Sequence, residues 1–300
     1  MKFVPTICAI CRTQGNSEKV FEQNVDEATF SSEVFSARRL PDRRSYQWVR
    51  CNSCGLLRSD PVLEVNLDEL YEKSTFDYNS EINGLKKVYS QITKRALKPN
   101  PVRGSVLEVG GGNGFYLEAA KELGFERIVG VEPSTEAVAA ARADIKPFMI
   151  VDMFREHTVP KNSFDLVTMF HVMDHLPDPL ETISICRDAL KPGGTFLVAV
   201  HDSKSWSARL LKSRSPIVDV EHTFLYDRIT VCKLFEKAGY IDIRVGTYRN
   251  LYSLAYLIHL IPISRPIKAK LIDGPVGKVL RRIKISVPLG NMWASGKRIN

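Results

Sequence analysis

The sequence lacks an apolar run long enough to cross a bilayer. Its longest apolar stretch covers residues 251–263 and is interrupted by Ser253 and His259, whereas a spanning helix needs about 18 or more apolar residues. A secretory signal is also missing, because the first 15 residues turn polar early and contain Pro5 and two cysteines. We therefore expect a soluble, cytoplasmic protein.

The sequence also lacks any unusual bias in composition. Its 300 residues are 44% hydrophobic and 25% charged, with a mean hydropathy of −0.13, which excludes a disordered chain or a collagen-like repeat. Six cysteines are too few for a disulfide-dense scaffold of this length. Such a chain forms one large domain or two smaller ones, each able to bury a core.

Acidic residues are scarce at the C-terminal end. Residues 249–300 contain ten lysines and arginines but only one acidic residue, Asp273. The net charge of this segment is therefore +9, whereas that of the whole chain is +8. A basic segment of this kind favours an anionic partner, such as a phosphorylated substrate, an acidic membrane surface or RNA. A basic surface that is simply exposed to solvent explains this excess of basic residues equally well.

Four of the six cysteines form two pairs with zinc-binding spacing. Two residues separate Cys8 from Cys11, and two separate Cys51 from Cys54. Two such turns place four thiolates around one tetrahedral Zn²⁺. Redox pairs or unused thiols are the alternatives. A set of four cysteines leaves no position for water, so we predict a structural zinc-binding module over residues 1–60.

The next segment, residues 61–103, is predicted to be a helical linker or lid. It contains two helical stretches, Leu67–Lys73 and residues 78–97, with Tyr71 and Tyr78 near the joint between them. The segment either packs as an ordinary part of the core or closes over the active site. In the second case Tyr78 would contact the cofactor.

Residues 104–248 alternate short buried strands with helices, which predicts a doubly wound, Rossmann-like α/β sheet. The first strand, Ser105–Val109, carries an acid and leads into three alternate glycines: Glu108, Gly110, Gly112 and Gly114. Such glycines let a ligand approach the backbone at a helix N-terminus. A dinucleotide fingerprint fails because Phe115 and Leu117 stand where it needs glycine, and a P-loop fails because no Gly-Lys-Ser/Thr follows.

This pattern resembles the class I S-adenosylmethionine (SAM)-dependent methyltransferases, whose first motif is an acid followed by Gly-x-Gly-x-Gly. Further matches follow in order, ending in Leu-Lys-Pro-Gly-Gly before the fifth strand. The resemblance implies a seven-stranded sheet with a helix over residues 222–239 and a reversed last strand. It also implies that Glu108 lies near the methionine amine of SAM, Glu132 at the ribose hydroxyls and Asp152 at the adenine amino group. The cofactor site would further include Pro133, Met153 and Phe170.

Missing motifs exclude some acceptors. Neither the Asn/Asp-Pro-Pro-Tyr/Phe element of base N-methylation nor the Pro-Cys of pyrimidine C5 methylation follows the fourth strand. Four histidines could act as a general base near neutral pH, or could be structural. We expect His171 and His175 at the exit of the fourth strand, His201 at the end of the fifth, and His222 beyond it, all near the active-site rim.

A narrower resemblance covers about residues 1–240. The zinc module, the tyrosine-containing helical stretch and Glu221-His222 are similar to the zinc-containing deoxysugar C-methyltransferases and related glycan-cluster enzymes. In that family the histidine is the proposed base that deprotonates carbon beside a ketone, which implies catalytic roles for Glu221 and His222. Here Phe224-Leu225-Tyr226 departs from the family's Tyr-Phe, and the family's further C-terminal domain has no match. O-methylation of a sugar or glycan therefore stays open beside C-methylation.

The predicted acceptor is a small molecule, such as a nucleotide- or lipid-linked sugar. A predicted apolar helix face over residues 251–261 and the basic run after it would select this acceptor or rest on an anionic membrane at its inner face. One alternative is an RNA methyltransferase, disfavoured because residues 1–60 carry nine basic and seven acidic residues. The other is a quinone or lipid O-methyltransferase.

Overall fold

This computed structural model describes residues 2–26, 44–72, 82–98, 103–260, 271–272 and 274–299, without the side chains of residues 256, 259 and 260. Tyr78, one of the predicted cofactor contacts, lies outside the described residues. Among the helices that the structure describes, none is both long and apolar enough to cross a membrane.

The N-terminal part contains short strands followed by helices. In chain order these are β1 (Phe3–Val4), β2 (Ser17–Phe21), β3 (Trp48–Cys51), β4 (Leu57–Ser59), β5 (Val62–Leu63), α1 (Leu67–Glu72) and α2 (Ile82–Ala96). Strand β1 pairs with β5, whereas β2, β3 and β4 lie side by side in a second antiparallel sheet. The module boundary at residue 60 falls between β4 and β5 and stays a prediction.

The remaining elements build the α/β core. In chain order they are β6 (Ser105–Val109), α3 (Phe115–Glu122), β7 (Arg127–Glu132), α4 (Thr135–Ala139), β8 (Met149–Val151), β9 (Phe164–Phe170), α5 (Pro179–Ala189), β10 (Leu190–His201), α6 (Trp206–Leu211), β11 (Phe224–Leu225), α7 (Arg228–Lys237), β12 (Tyr240–Ser253), α8 (Leu254–Leu260), α9 (Pro275–Arg282) and β13 (Lys284–Arg298).

Seven strands form one mixed sheet in the order β12-β13-β10-β9-β6-β7-β8. Strands β6 to β10 pair in parallel, and β13 runs antiparallel between β10 and β12. This confirms the predicted seven-stranded, Rossmann-like sheet with its reversed last strand. Because the parallel strands end at one edge, that edge is where a ligand of such a sheet binds.

The central strands are apolar because elements pack on both faces of the sheet. Every residue of β6 is buried. Helix α2 buries Val88, Tyr89 and Ile92 in one cluster with the sheet residues Val106 and Phe170. Helix α2 of the predicted linker is thus packed into the core, and the role of the linker as a lid stays a prediction.

Two predicted helical assignments are wrong. Residues 224–225 form β11, and α7 begins only at Arg228, because the carboxylate of Asp227 caps it by accepting the backbone N–H of Ile229 and Thr230. Leu251 lies in β12 rather than on a helix, because β12 stays paired with β13 as far as Ser253.

The second N-terminal sheet is completed by a strand from the core. Strand β11 pairs with β4, so that Phe224 lies opposite Arg58, and the sheet runs β11-β4-β3-β2. The N-terminal cysteines share one apolar cluster with Phe224, Tyr226 and the inner residues of the large sheet. The cysteine-containing module is therefore packed into the core of the molecule.

Candidate active site

The loop after β6 requires glycine at alternate positions. Gly110, Gly112 and Gly114 have φ angles of 74°, 52° and 73°, a region that costs other L-residues about 1–2 kcal/mol. A Cβ on Gly110 would lie 2.3 Å from Cγ2 of Val172, whereas one on Gly112 would meet nothing within 4 Å. The loop therefore packs tightly at Gly110 and leaves its backbone open at Gly112, as a ligand cradle does.

Two carboxylates lie beside this loop. Glu132, at the end of β7, accepts hydrogen bonds from the backbone N–H of Gly112 (2.8 Å) and Ser134 (2.9 Å) and so holds the loop in place. Glu108 is buried, and its Oε2 has no hydrogen-bond partner in the described part of the chain. Burial, and after it the charge of Glu132, raises the pKa of Glu108 well above its ordinary value. An unpartnered buried carboxyl oxygen fits a ligand that brings hydrogen-bond donors, as the amino group of SAM does.

The other predicted cofactor contacts differ in exposure. Asp152, just after β8, is exposed, and Pro133 and Met153 are half-buried. Phe170 is buried and stacks on Tyr89 of α2, with 4.2 Å between the ring centroids. Phe170 is therefore a core aromatic at the end of β9, and its contact with SAM stays a prediction.

All four histidines converge in one cluster. His171 follows β9 and His201 ends β10, and their ring centroids lie 4.6 Å apart. The ring of His222 lies 5.1 Å from that of His201 and 4.6 Å from that of His175. His171 has a φ of +54°, a strained conformation for a residue other than glycine.

Three side chains that sequence reasoning missed hold these rings. The pairs are Asp174–His201 (2.7 Å), Asp219–His222 (2.7 Å) and Tyr248–His171 (2.8 Å). In the first two pairs the carboxylate accepts a hydrogen bond from Nδ1 of the imidazole. Asp219 lies three residues before its histidine, a local spacing that could have signalled the pair. Tyr248 comes from β12, and only the folded sheet brings it to His171.

Asp219 controls the protonation of His222. Burial opposes the charged form of this imidazole, but the adjacent Asp219 carboxylate outweighs it and raises the pKa of His222 above its ordinary value. Burial alone would raise the pKa of Asp219, and the contact with His222 lowers it instead. Among the described residues, Nε2 of His222 has no hydrogen-bond partner. An imidazole with one nitrogen held by a carboxylate can accept a proton at the other.

Glu221, predicted to act with His222, lies against His175. Its backbone carbonyl accepts a hydrogen bond from Nδ1 of His175 at 3.1 Å, and its carboxylate lies 3.8 Å from the same nitrogen. The charge of Glu221 also contributes to the raised pKa of His222. The catalytic roles of Glu221 and of the individual histidines stay predictions.

The four paired cysteines meet in space. Sγ of Cys8 lies 3.5 Å from that of Cys54, Sγ of Cys51 lies 3.8 Å from that of Cys11, and all four sulfurs lie within 4.8 Å of one another. A tetrahedral zinc with Zn–S bonds of about 2.3 Å places its sulfurs about 3.8 Å apart. The donor set therefore fits a structural zinc ion.

The cysteine module contacts the loop that carries His222. The hydroxyl of Ser59, at the end of β4, donates to the carbonyl of His222 at 3.0 Å, and the Ser59 backbone N–H donates to the carbonyl of Thr223 at 2.9 Å. Lys233 of α7 donates to the carbonyl of Cys54 at 3.2 Å. Together with the pairing of β11 and β4, these bonds tie the position of His222 to the fold of the module.

The part of the chain that contains the glycine loop matches a known protein family. A family model for the methyltransferase domain matches residues 82–245, which is more than half of the chain. This chain belongs to the methyltransferase domain family. The matched residues include the glycine loop and its two carboxylates, so they form a SAM-dependent methyltransferase domain, as the sequence predicts.

Curated relatives of this methyltransferase match it over part of their length. The ubiquinone biosynthesis O-methyltransferase of Xanthomonas campestris is 34% identical over 103 residues, which cover 31% of this chain and 41% of the relative. A probable S-adenosylmethionine-dependent methyltransferase of Mycolicibacterium smegmatis is 29% identical over 151 residues, or 48% of this chain and 55% of the relative. The match thus spans about half of the length of these relatives.

A solved structure confirms the fold of the methyltransferase. Phosphoethanolamine N-methyltransferase 2 of Haemonchus contortus, in complex with SAM, superposes with a TM-score of 0.50 at 16% sequence identity. The superposition covers 87% of this chain and 65% of that chain. At this identity the likeness concerns the fold alone.

Gly110→Ala should weaken SAM binding. The new Cβ would clash with Val172, and the positive φ adds a backbone penalty of about 1–2 kcal/mol. We expect the dissociation constant of SAM, measured by calorimetry, to rise about tenfold or more. Gly124→Ala is the matched control, because Gly124 also has a positive φ (88°) but its Cβ would make only ordinary contacts with Arg103 at 3.8 Å. Equal SAM affinities in the two variants would contradict the proposal that the loop at Gly110 forms the SAM site.

Ser59→Ala should loosen the His222 loop. The substitution leaves the buried carbonyl of His222 without its hydrogen bond from the Ser59 hydroxyl, so we expect a loss of about 1 kcal/mol in the free energy of unfolding and a fall in methyl transfer. Denaturant titration and initial rates measure the two effects. Ser53→Ala, an exposed serine in the same module, is the control. Similar losses in both variants would show that the Ser59 contact does not position the loop.

Asp219→Asn should lower the pKa of His222. Without the carboxylate charge, burial becomes the dominant influence and favours the neutral imidazole. NMR titration of the histidine ring signals, with His222→Gln used for assignment, measures the shift. An unchanged titration of His222 would exclude control by Asp219.

The same pair makes stability depend on pH. The folded-state pKa of His222 is raised above 6.5. The contribution of His222 to the free energy of unfolding is therefore complete below pH 6.5, and it is lost as the pH rises through the raised pKa. The contribution of Asp219, whose pKa is lowered, is present above 3.8 and is lost as the pH falls through the lowered pKa. Asp219→Asn should therefore destabilise the fold by about 3 kcal/mol between about pH 4 and 6.5, and by less at higher pH, in urea titrations.

Proposed function

We propose that this methyltransferase methylates a sugar or glycan intermediate at a carbon or an oxygen atom, with His222 as the general base. The observation that carries the proposal is the buried Asp219–His222 pair, in which Nε2 of His222 has no partner among the described residues. The resemblance of Glu221-His222 and of the cysteine module to sugar C-methyltransferases supports the same acceptor class.

The glycine loop and its carboxylates would hold the cofactor. The open backbone at Gly112 and the carboxylate of Glu132 suit the ribose, since a carboxylate has about four lone-pair sites and keeps some beside its two backbone bonds. The unpartnered oxygen of Glu108 suits the methionine amine. When bound, SAM supplies a methyl group that needs no further activation, so the protein mainly aligns the acceptor with it.

His222 would take the proton of the acceptor. Asp219 holds Nδ1 of His222 and leaves Nε2 as the proton acceptor. As the proton moves from the acceptor atom to Nε2, the imidazolium forms beside the Asp219 carboxylate, which stabilises the new positive charge. The rings of His201 and His175 lie within 5.1 Å of His222 and would line the same site.

The cysteine module would hold a structural Zn²⁺ without taking part in the chemistry. Four sulfur ligands fill the tetrahedral shell and leave no position for water or substrate. Its role would be mechanical, because Ser59 links the module to the backbone of His222.

A basic cleft supports a phosphate-bearing acceptor, such as a nucleotide- or lipid-linked sugar. The cleft has a volume of about 380 Å³ and lies between the cysteine module and α6, where apolar side chains surround four basic ones: Arg50, Lys204, Arg209 and Lys212. An ion pair with Asp227 at 2.6 Å offsets the charge of Lys204. The lining of the cleft also includes Ser203 and Leu225. These two residues lie two and three positions after His201 and His222 in the chain.

Helix α9 supports contact with an anionic membrane. Val276 and Val279 are 56% and 57% exposed on a helix that also carries Lys278, Arg281 and Arg282. Helices with exposed apolar and basic side chains bind at the interface of anionic bilayers. We expect flotation with anionic but not with neutral liposomes, and no flotation with either would exclude the contact.

Ubiquinone-type O-methylation is the second candidate function. It is favoured by the names of curated relatives, one of which is 34% identical over 103 residues. The match of 31% of this chain supports a shared cofactor site more directly than a shared acceptor.

The deciding experiment follows a labelled methyl group from SAM into a cell extract separated into RNA, organic-extractable and small soluble pools. We expect label in the soluble or organic pool, and we expect His222→Gln to reduce its rate of appearance by about 10²- to 10⁴-fold with little change in SAM affinity. His157→Gln, at an exposed histidine, should retain the activity. Label confined to RNA would overturn the proposed sugar or glycan acceptor. Undiminished labelling by His222→Gln would overturn the proposed role of His222 as the general base.

A further inference from the structure

We propose that His171, Asp174 and His201 form a second metal site, which holds a divalent transition-metal cation through two imidazoles and one carboxylate. One ligand atom from each of the three residues lies within 4.8 Å of the other two. The site is separate from the four cysteines and uses none of the atoms that the proposed proton transfer requires.

The fold places these residues at the edge of the sheet where ligands bind. His171 follows β9, His201 ends the adjacent parallel strand β10, and Asp174 lies in the short 3₁₀ turn Met173–His175. The two histidine rings are 4.6 Å apart between centroids. Two imidazoles bound to one tetrahedral or octahedral metal, with metal–nitrogen bonds of about 2.0–2.1 Å, have centroids about 4.5–5.2 Å apart.

Each histidine already has one ring nitrogen fixed by a hydrogen bond. Nδ1 of His201 donates to Oδ2 of Asp174 at 2.7 Å, and Nε2 of His171 shares a hydrogen bond of 2.8 Å with the hydroxyl of Tyr248. With Nε2 held by Tyr248, His171 would bind the metal through Nδ1, as metal-binding histidines have one nitrogen on the metal and the other on a polar group. His201 and Asp174 would bind through the facing atoms Nδ1 and Oδ2, and the proton between these two atoms would be released when the metal binds.

The independent observation is the second oxygen of Asp174. This residue is fully buried, and its Oδ1 has no hydrogen-bond partner among the described residues, whereas Oδ2 accepts from both the ring and the backbone N–H of His201. A carboxylate with an unpartnered oxygen at such depth is unfavourable, and a cation bound by both oxygens of this carboxylate would satisfy it. The strained φ of +54° at His171 also fits a site that imposes its geometry on the backbone.

The ligand set indicates the kind of cation. Two imidazoles with one carboxylate favour zinc, iron(II) or another transition metal over magnesium or calcium, and three protein ligands leave positions open for oxygen atoms of a substrate. His222 lies next to this site, with its ring 5.1 Å from that of His201. A cation here would bind neighbouring hydroxyl and carbonyl oxygens of the acceptor and ease the loss of a proton to His222, a role that rests on the proposed function.

Cobalt titration separates the two metal sites. The protein is first given one equivalent of Zn²⁺, which fills the four-cysteine site, and visible absorption is then followed as Co²⁺ is added. We expect one further equivalent per chain, with weak bands typical of nitrogen and oxygen ligands and without the intense near-ultraviolet band of cobalt–thiolate bonds. His171→Gln and Asp174→Asn should each abolish this second equivalent. His157→Gln, outside the cluster, should bind both metals.

Retention of the zinc equivalent by His171→Gln and Asp174→Asn shows that the variants are folded. The proposal is overturned if the unmodified protein binds no second equivalent, or if both variants bind Co²⁺ as the unmodified protein does. The titration involves no acceptor, so a result in which only RNA is labelled would overturn the sugar acceptor and leave the metal site standing. The failure of either proposal can therefore be told from that of the other.

Discussion

The parallel pairing of β9 with β10 and β6 is the constraint on which the active site depends. Its register places Phe170 opposite Ala199 and Val106 opposite Leu166, so that the glycine loop and two histidines emerge at one edge of the sheet. Packing on both faces buries the apolar side chains of these strands and stabilises the register. The edge is therefore rigid enough to hold charged groups at fixed distances.

The fourth histidine reaches this edge by a different route. His222 lies in a loop, and a loop needs external support if its side chain is to keep one position. That support comes from β11, which pairs with β4 of the cysteine module, and from Ser59, which bonds to the backbone of His222. Four cysteines around one ion would stiffen the module, so a metal ion bound there would also help to hold the position of His222.

Buried ionisable groups in this structure differ in whether they have a hydrogen-bond partner. The Asp219–His222 pair is buried and mutually stabilising, since each partner shifts the pKa of the other toward the charged form. Glu108 and Asp174 are also buried, yet each keeps one oxygen without a hydrogen bond among the described residues. Because such oxygens are costly in a folded protein, they support the ligands proposed at these two places.

The sequence by itself determined the features whose signals are local. The alternation of strands and helices predicted the sheet, the alternate glycines predicted the loop, and the Cys-x-x-Cys pairs predicted the cysteine cluster, because each pattern reflects the geometry of a few consecutive residues. The proximity of His171 and His201 followed from the rule that parallel strands end together. Only the tertiary structure decided that Tyr248 holds His171, that Ser59 holds the His222 loop, and that residues 224–225 form a strand rather than part of a helix. These contacts join residues that are 77 and 163 positions apart, or depend on a partner strand elsewhere in the chain, and no local pattern encodes them.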